Sequence, residues 1–450
     1  MLAVLVIVTA IVFGACSGDS EADATATESS TLAPSTAPVS TESATSEPEQ
    51  TVDELLADIE RRVEKFRGID TPPLLEHSFV DKSFMRELLA EQLADPETVE
   101  QLVHESALLK LLGVIPQDSD LGAIYESMFG SRVLGLYDPE KEQFFVLDDS
   151  GLGPDSPANG LDTEGQLTYA HEYVHRLQDA EFDLEFIDEE ASGDDMRLAI
   201  AAVVEGDATN AQAQYMFQNF TFLELANLMD SILRDQADIP DAPAFLQRAL
   251  EFPYLEGAAF VAEVVKSGGI SAIDDVFNDL PLSTEQIMHF GKYVNAEEPD
   301  ELEIPDDALG SDWEVQADNI LGEFFLKTWL ETLVSEEAEA AAADWGGDAY
   351  TVFENDADEI ALGVLISWDT DDDAREFIVA LSEAFTANEN YLSRSNGLPG
   401  VLEAWEGPGG YIVLSRWNAD DEGDRVAISI TPNGADSHRL NFSLAGTESE

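Results

Sequence analysis

Five consecutive residues, His171-Glu172-Tyr173-Val174-His175, carry the strongest chemical signal in this sequence. On a helix, positions i and i+4 share one face, so the two imidazoles can be offered to a single metal ion. Glu172, next to the first of them, can reach a water on that ion. Zinc held in this way lowers the pKa of its water to about 7, and a nearby carboxylate can take the proton as the water attacks a carbonyl. The chain has only six His in 450 residues. With so few, the pattern arises by chance in roughly one such sequence in a hundred. The spacing therefore predicts a zinc-dependent hydrolase, with His171 and His175 as ligands and Glu172 as general base.

A catalytic zinc takes three protein ligands and keeps a fourth position open. The extended motif that supplies its third ligand from the same stretch needs a Gly at 178 and a His at 181. The chain has Gln178 and Glu181 there. The best remaining candidate is Glu205, within Val203-Val204-Glu205-Gly206-Asp207-Ala208. It falls in the middle of an apolar helical stretch, on a flank lined by Ala201 and Ala208. An unpaired carboxylate buried there costs several kcal/mol, and a metal supplies the partner. Asp183 and Glu189 are the alternatives, and a solvated Glu205 is the competing reading. His77 and His104 have no partner at ligand spacing and are not expected to bind metal.

The elements that must position these groups are predicted as follows. The motif helix runs from about 163 to 179. Ahead of it, 133–137 and 143–147 read as a β-hairpin joined by Asp138-Pro139-Glu140-Lys141, followed by a polar loop over 148–162. Helical periodicity begins at a capping box, Thr51 with Glu54, and continues through Leu55, Leu56, Ile59, Val63 and Phe66. Further helices are expected near 80–94, 97–112 and 118–129, and helix dominates 193–265. The segment 335–445 differs, with strands near 349–355, 360–368, 410–417 and 425–431 and a helix near 371–386. The expected fold class is α+β. A mostly helical domain over 51–334 carries the hairpin and motif helix, and 335–445 forms a smaller α+β unit.

Composition bounds the setting. The chain has 21 Lys+Arg against 93 Asp+Glu, a formal charge of −72. Such a surface stays hydrated when salt screens charge, and it fits either a salt-adapted protein or an acidic envelope protein. It excludes charge-driven binding to nucleic acid or to an anionic membrane surface. Residues 1–15 are almost wholly apolar, too short to span a bilayer with ease, and suit the core of a signal peptide. They lead to Gly14-Ala15-Cys16, similar to a bacterial lipobox, which makes Cys16 a candidate lipidation site and 1–16 the signal segment. It is the only Cys, so no intrachain disulfide can form. Residues 17–50, rich in Ser, Thr, Ala, Pro and Glu, have little apolar surface to bury and are expected to form a disordered linker. The expected location is extracytoplasmic, lipid-anchored to the membrane, or secreted if Cys16 carries no lipid.

A downstream helical Glu as third ligand resembles the gluzincin plan, the class that includes thermolysin-like peptidases. Several segments also resemble an uncharacterised group of bacterial metallopeptidase-like proteins, many of them lipoproteins. These are Val133-Leu134-Gly135-Leu136-Tyr137-Asp138-Pro139, His171 through Asp179, and Val204-Glu205-Gly206-Asp207-Ala208. Phe252-Pro253-Tyr254-Leu255-Glu256-Gly257, Ser283-Thr284-Glu285-Gln286 with His289, and Trp345-Gly346-Gly347-Asp348 follow. The resemblance spans about residues 52–385. Two positions depart from it: Arg176 stands where Ala is commoner, and Phe290-Gly291 follow His289 where Pro and an acidic residue are usual. The resemblance implies a zincin-like core, with the strand before the motif helix placed to pair with an extended peptide or protein substrate. It also implies a Tyr or His on the oxyanion, for which Tyr254 and His289 are the candidates, and an Asp that orients a ligand His, for which Asp207 is the candidate. Thermolysin-like enzymes carry that Asp four residues after the Glu, where this chain has Thr209. Trp345-Gly346-Gly347-Asp348 is expected to make a tight turn and anchor. The reading opposed to an active peptidase is an envelope binding or scaffold protein that keeps the fold without the activity.

Overall fold

The computed structural model describes residues 50–69, 77–129, 135–138, 143–147, 151–235, 242–333, 338–394, 401–418 and 424–445. The signal segment, Cys16 and the linker up to residue 49 lie outside the described residues. The described chain is mixed α and β, as expected.

Helix α1 (Val52–Arg67) starts at the anticipated capping box, where Thr51 and Glu54 satisfy each other's backbone N–H groups. Strand β1 (His77–Val80) was not anticipated and contains His77. Helices α2 (Lys82–Leu93), α3 (Pro96–Leu111) and α4 (Leu121–Phe129) follow, then the expected hairpin strands β2 (Gly135–Asp138) and β3 (Gln143–Leu147). β3 pairs antiparallel with β2 and parallel with β1, so β2 lies at the edge of a sheet ordered β1-β3-β2.

Helix α5 (Thr163–Phe182) carries the HEYVH motif. Asp162 caps it by accepting from the Gly165 N–H. Twelve consecutive residues, Leu167 to Gln178, are buried, so this helix is covered on every side rather than along one stripe. On one side the Tyr169 hydroxyl donates to Glu60 (2.6 Å) and the Tyr173 hydroxyl to Glu64 (2.7 Å), both on α1. On another, the Tyr137 hydroxyl of β2 donates to Asp179 (2.8 Å).

Short α6 (Leu184–Glu189) leads to the long helix α7 (Asp194–Asn219), then α8 (Phe222–Asp235) and α9 (Ala244–Gly268). α7 and α9 cross in very close contact. A Cβ added at Gly257 would fall on the Ala202 carbonyl, and one added at Gly206 would fall on the Gly257 carbonyl. Two glycines at the crossing let the backbones touch. Short helices α10 (Ala272–Asn278), α11 (Thr284–Met288) and α12 (Phe290–Val294) complete this part.

The C-terminal part is a seven-stranded sheet ordered β4-β5-β6-β10-β9-β8-β7. Its strands are β4 (Trp313–Asn319), β5 (Trp345–Asn355), β6 (Ile360–Trp368), β7 (Leu392–Ser393), β8 (Val401–Gly407), β9 (Gly410–Asn418) and β10 (Asp424–Thr431). Helices α13 (Gly322–Leu333), α14 (Ala338–Ala342) and α15 (Asp371–Ala387) cover one face, and α16 (Gly434–Leu444) the other. Alternate residues serve the two faces: Val352 and Leu362 join the larger core, Phe353 and Ala361 the core under α16.

The expected boundary at 334/335 does not hold as a structural division. The sheet begins at β4, which pairs with β5, and α2 to α4 pack into the same core as the sheet through Leu89, Leu102, Leu108, Tyr125 and Met128. β4 alternates Trp313, Val315 and Ala317 with Glu314, Gln316 and Asp318, so this strand was legible in the sequence although it was not anticipated. Trp345-Gly346-Gly347-Asp348 also differs from expectation. It is the bulged start of β5 rather than a turn. The anchoring role holds: Asp348 accepts from the Leu321 and Gly322 N–H groups at the start of α13 (both 2.8 Å) and from the Trp345 indole (3.0 Å).

Candidate metal centre

His171 and His175 project from one face of α5, with ring centroids 4.9 Å apart and planes at 75°. The carboxylate of Glu205, in the middle of α7, meets them. Its Oε2 lies 3.0 Å from His171 Nε2 and 3.6 Å from His175 Nε2. All three side chains are buried. A tetrahedral ion with bonds of about 2 Å holds its ligand atoms about 3.3 Å apart, and the two measured separations bracket that value. His175 Nε2 is buried with no hydrogen-bond partner among the described residues. The residues thus fit a zinc ion, with two imidazole nitrogens and one carboxylate oxygen. Among the described residues no fourth His, Cys, Asp or Glu joins the group. Of the alternatives to Glu205, Asp183 accepts from the Phe186 N–H at the start of α6 and does not belong to the group, and the side chain of Glu189 lies outside the described residues.

The electrostatics follow from this convergence. Burial disfavours a charged His175, but the Glu205 carboxylate outweighs it and raises the His175 pKa above its ordinary range. Burial likewise disfavours an ionised Glu205, and the two imidazoles outweigh it and hold Glu205 below the usual carboxylate range. The pocket therefore demands positive charge beside Glu205. A proton on His175 meets that demand, and so does a divalent cation.

Glu172 points to the opposite partner, the edge strand. Its Oε2 accepts from the backbone N–H of Tyr137 in β2 at 3.0 Å. This contact fixes the carboxylate one residue away from a ligand. The Arg176 side chain, buried, shares the Tyr137 hydroxyl with Asp179. The unusual Arg thus helps hold β2 against α5.

Tyr254 of α9 stacks on the His171 ring, with centroids 6.1 Å apart and an interplanar angle of 28°. The Gly206–Gly257 crossing explains the meeting: each glycine lies close in sequence to the group that must approach, Glu205 on α7 and Tyr254 on α9. His289 is placed elsewhere. At the junction of α11 and α12, its Nε2 lies 2.8 Å from Glu323 Oε1 on α13, which holds its pKa above the ordinary value. It does not enter the His171–His175–Glu205 group.

Among the described residues, Asp207 reaches His175 only through Gln178. It acts one residue further out. His175 Nδ1 is 2.9 Å from Gln178 Oε1, and Gln178 Nε2 donates to Val204 O (2.9 Å) and to Asp207 Oδ2 (3.0 Å). Asp207 in turn accepts from Arg67 Nε at 2.9 Å. Sequence reasoning missed Gln178, Arg67 and the Tyr137 N–H. Gln178 had a signal, since it sits three residues after His175 on the same helix, at interacting distance. Tyr137 lay in the strand expected beside the motif helix, whereas Arg67 had no signal, because it reaches the site only through tertiary packing.

A second group of acids, Glu285, Glu297 and Asp369, also converges. The Lys292 ammonium sits among them at 2.7, 2.6 and 2.6 Å. Its own charge satisfies this cluster.

One family model matches the chain, over residues 313–441, described as a domain of unknown function (DUF8575). That stretch coincides with the C-terminal sheet and does not include His171, His175 or Glu205. No curated protein matches the chain, and no solved structure matches it.

Proposed function

We propose that this chain is a zinc-dependent peptidase with a zincin-like core, exported and held at the membrane through Cys16. The observation that carries the reading is the convergence of His171 and His175 on Glu205 while Glu172, between the two His in sequence, is fixed against an edge strand. A zinc ion there supplies Lewis acidity and a water activated near neutral pH. The residues do the rest. Glu172 accepts the proton of the attacking water and passes it to the leaving amine. The Tyr137 N–H holds one of its oxygens. Tyr254, stacked on His171, is the candidate donor to the developing oxyanion. β2, at the edge of its sheet, offers an extended peptide a strand to pair with. With a charge of −72, neutral or cationic peptides are favoured over acidic ones. No helix among the described residues is long and apolar enough to cross a membrane.

The test is metal content and turnover measured together. Purified protein should hold about one zinc per chain and cleave members of a peptide library. Glu172→Gln should keep the zinc and lose roughly 10²- to 10⁴-fold in rate. Equal hydrolysis by the two proteins removes the peptidase reading, and zinc binding without any hydrolysis favours the inactive scaffold.

A further inference from the structure

Outside the ligands themselves, one buried chain of polar groups has no role in the scheme above: His175, Gln178, Asp207, Arg67 and Asp274. We infer that Arg67, from the N-terminal helix α1, is a positioning residue for the metal centre. Through Asp207 it fixes the amide of Gln178, and so selects the His175 tautomer that presents Nε2 to the ion. This rests on the zinc reading of the site.

The argument is one of donors and acceptors. The Val204 carbonyl and the Asp207 carboxylate can only accept, so the Gln178 atom facing both must be its NH₂, which has two protons to give. The other end of the amide, Oε1, is then turned to His175 Nδ1 and can only accept. Nδ1 must therefore carry the proton, and the Nε2 lone pair is left for the metal. A flipped amide would place NH₂ against Nδ1, move the proton to Nε2 and block that ligand position. Asp207 is one of the two anchors against the flip. It is fully buried and carries charge, and the guanidinium of Arg67 balances it with a 2.9 Å contact from Nε. Arg67 is itself buried, and its Nη1 continues to Asp274 of α10 at 2.6 Å, where the chain reaches partly exposed carboxylate. His171 has no such support: its Nδ1 has no hydrogen-bond partner among the described residues. Among the described residues, His175 Nδ1 is thus held by such a chain and His171 Nδ1 is not.

The experiment measures zinc affinity by competition with a chelator. The variants are Arg67→Met, Gln178→Leu, their combination, Arg67→Met with Asp207→Asn, and Tyr169→Phe. Arg67→Met and Gln178→Leu should each weaken zinc binding by about 10- to 100-fold. Their combination should be no weaker than the worse single variant, since both cut one path. Arg67→Met strands a buried carboxylate, so the companion Asp207→Asn change removes that charge. This double variant should regain thermal stability yet keep the weakened affinity. Tyr169→Phe, which cuts the α1–α5 contact at Glu60, should lower stability and leave zinc affinity unchanged. In zinc-saturated wild type the His175 Nδ1 proton should be visible and slow to exchange by ¹⁵N-edited NMR, and Gln178→Leu should lose that protection. Unchanged affinity in Arg67→Met, additive losses in the combination, or an equal loss in Tyr169→Phe would overturn the inference while wild type still binds zinc. Failure of wild type to bind zinc would overturn the zinc reading and this inference with it.

Discussion

At the residue scale, Glu205 is the group whose role differs most from its surroundings. It stands among Val203, Val204 and Ala208 in a buried stretch whose other acid, Asp207, is paired with Arg67. Two imidazole nitrogens are the compensation the structure offers, and a cation completes it. Glu205→Ala should therefore abolish stoichiometric zinc while leaving the helix intact, read by metal analysis alongside circular dichroism. Zinc retained at one per chain in that variant would eliminate the proposed site. The same logic gives the effect of metal removal. An ion bound to the folded state alone stabilises by about 2.7 kcal/mol at a hundredfold excess over its dissociation constant. Chelation should lower the unfolding temperature of wild type and leave that of Glu205→Ala where it was. At this scale the two His, Glu172 and Glu205 were all legible, because helix spacing and a misplaced carboxylate are local properties. Tyr254 entered by resemblance and does lie on His171, whereas His289, which entered the same way, pairs with Glu323.

At the element scale, the site depends on three packings of α5: against α1, against β2 and against α7. The α7–α9 crossing sets the third. Gly206 and Gly257 have no room for a methyl group, since the atoms in the way are backbone and cannot rotate aside. Gly257→Ala should force the helices apart and cost about 1–3 kcal/mol, as overpacking does. Because Glu205 and Tyr254 ride on the two helices, zinc affinity should fall too. Ala substitution at Gly291, where an added Cβ meets nothing, serves as the comparison and should change neither. Urea unfolding and zinc competition on both variants decide the matter; equal behaviour of the two rules out the crossing as the positioning device.

At the scale of the whole molecule, the helices of the candidate metal centre and the C-terminal sheet meet around Gly322. This residue has φ +79°, and a Cβ there would collide with the Asp195 carboxylate at the start of α7. Asp195 accepts from the Thr284 N–H (3.1 Å) and hydroxyl (2.5 Å), while Asp348 of β5 holds the Leu321 and Gly322 N–H groups. Burial pushes Asp195 up to about 8 and Asp348 up to about 6. Between about pH 4 and pH 8 the unfolded chain has lost the Asp195 proton and the folded chain still holds it. Stability from this group is therefore complete below pH 4 and declines as pH rises to 8. Asp195→Asn removes the titration. Its unfolding free energy should fall less steeply over pH 5–7 than that of wild type, by up to about 1.4 kcal/mol per pH unit. Parallel pH profiles from urea denaturation of the two zinc-free proteins would refute the assignment. The acid cluster at Lys292 belongs to the same seam, since it joins Glu285 of α11 to Asp369 just ahead of α15.

The sequence by itself determined the motif helix, the placement of His171, Glu172 and His175 on it, the misplaced Glu205, most helices and four strands of the large sheet. Each of these is encoded in spacing along one element, where i to i+4 contacts and alternation are visible without a fold. Only the tertiary structure decided that Glu205 meets the two His, that Asp207 reaches His175 through Gln178 rather than directly, and that Arg67 balances it from more than a hundred residues away. It also decided that α2 to α4 share a core with the C-terminal sheet and that β4 opens that sheet. These facts depend on which faces meet across long loops, and contact between elements distant in sequence leaves no periodic trace in either of them.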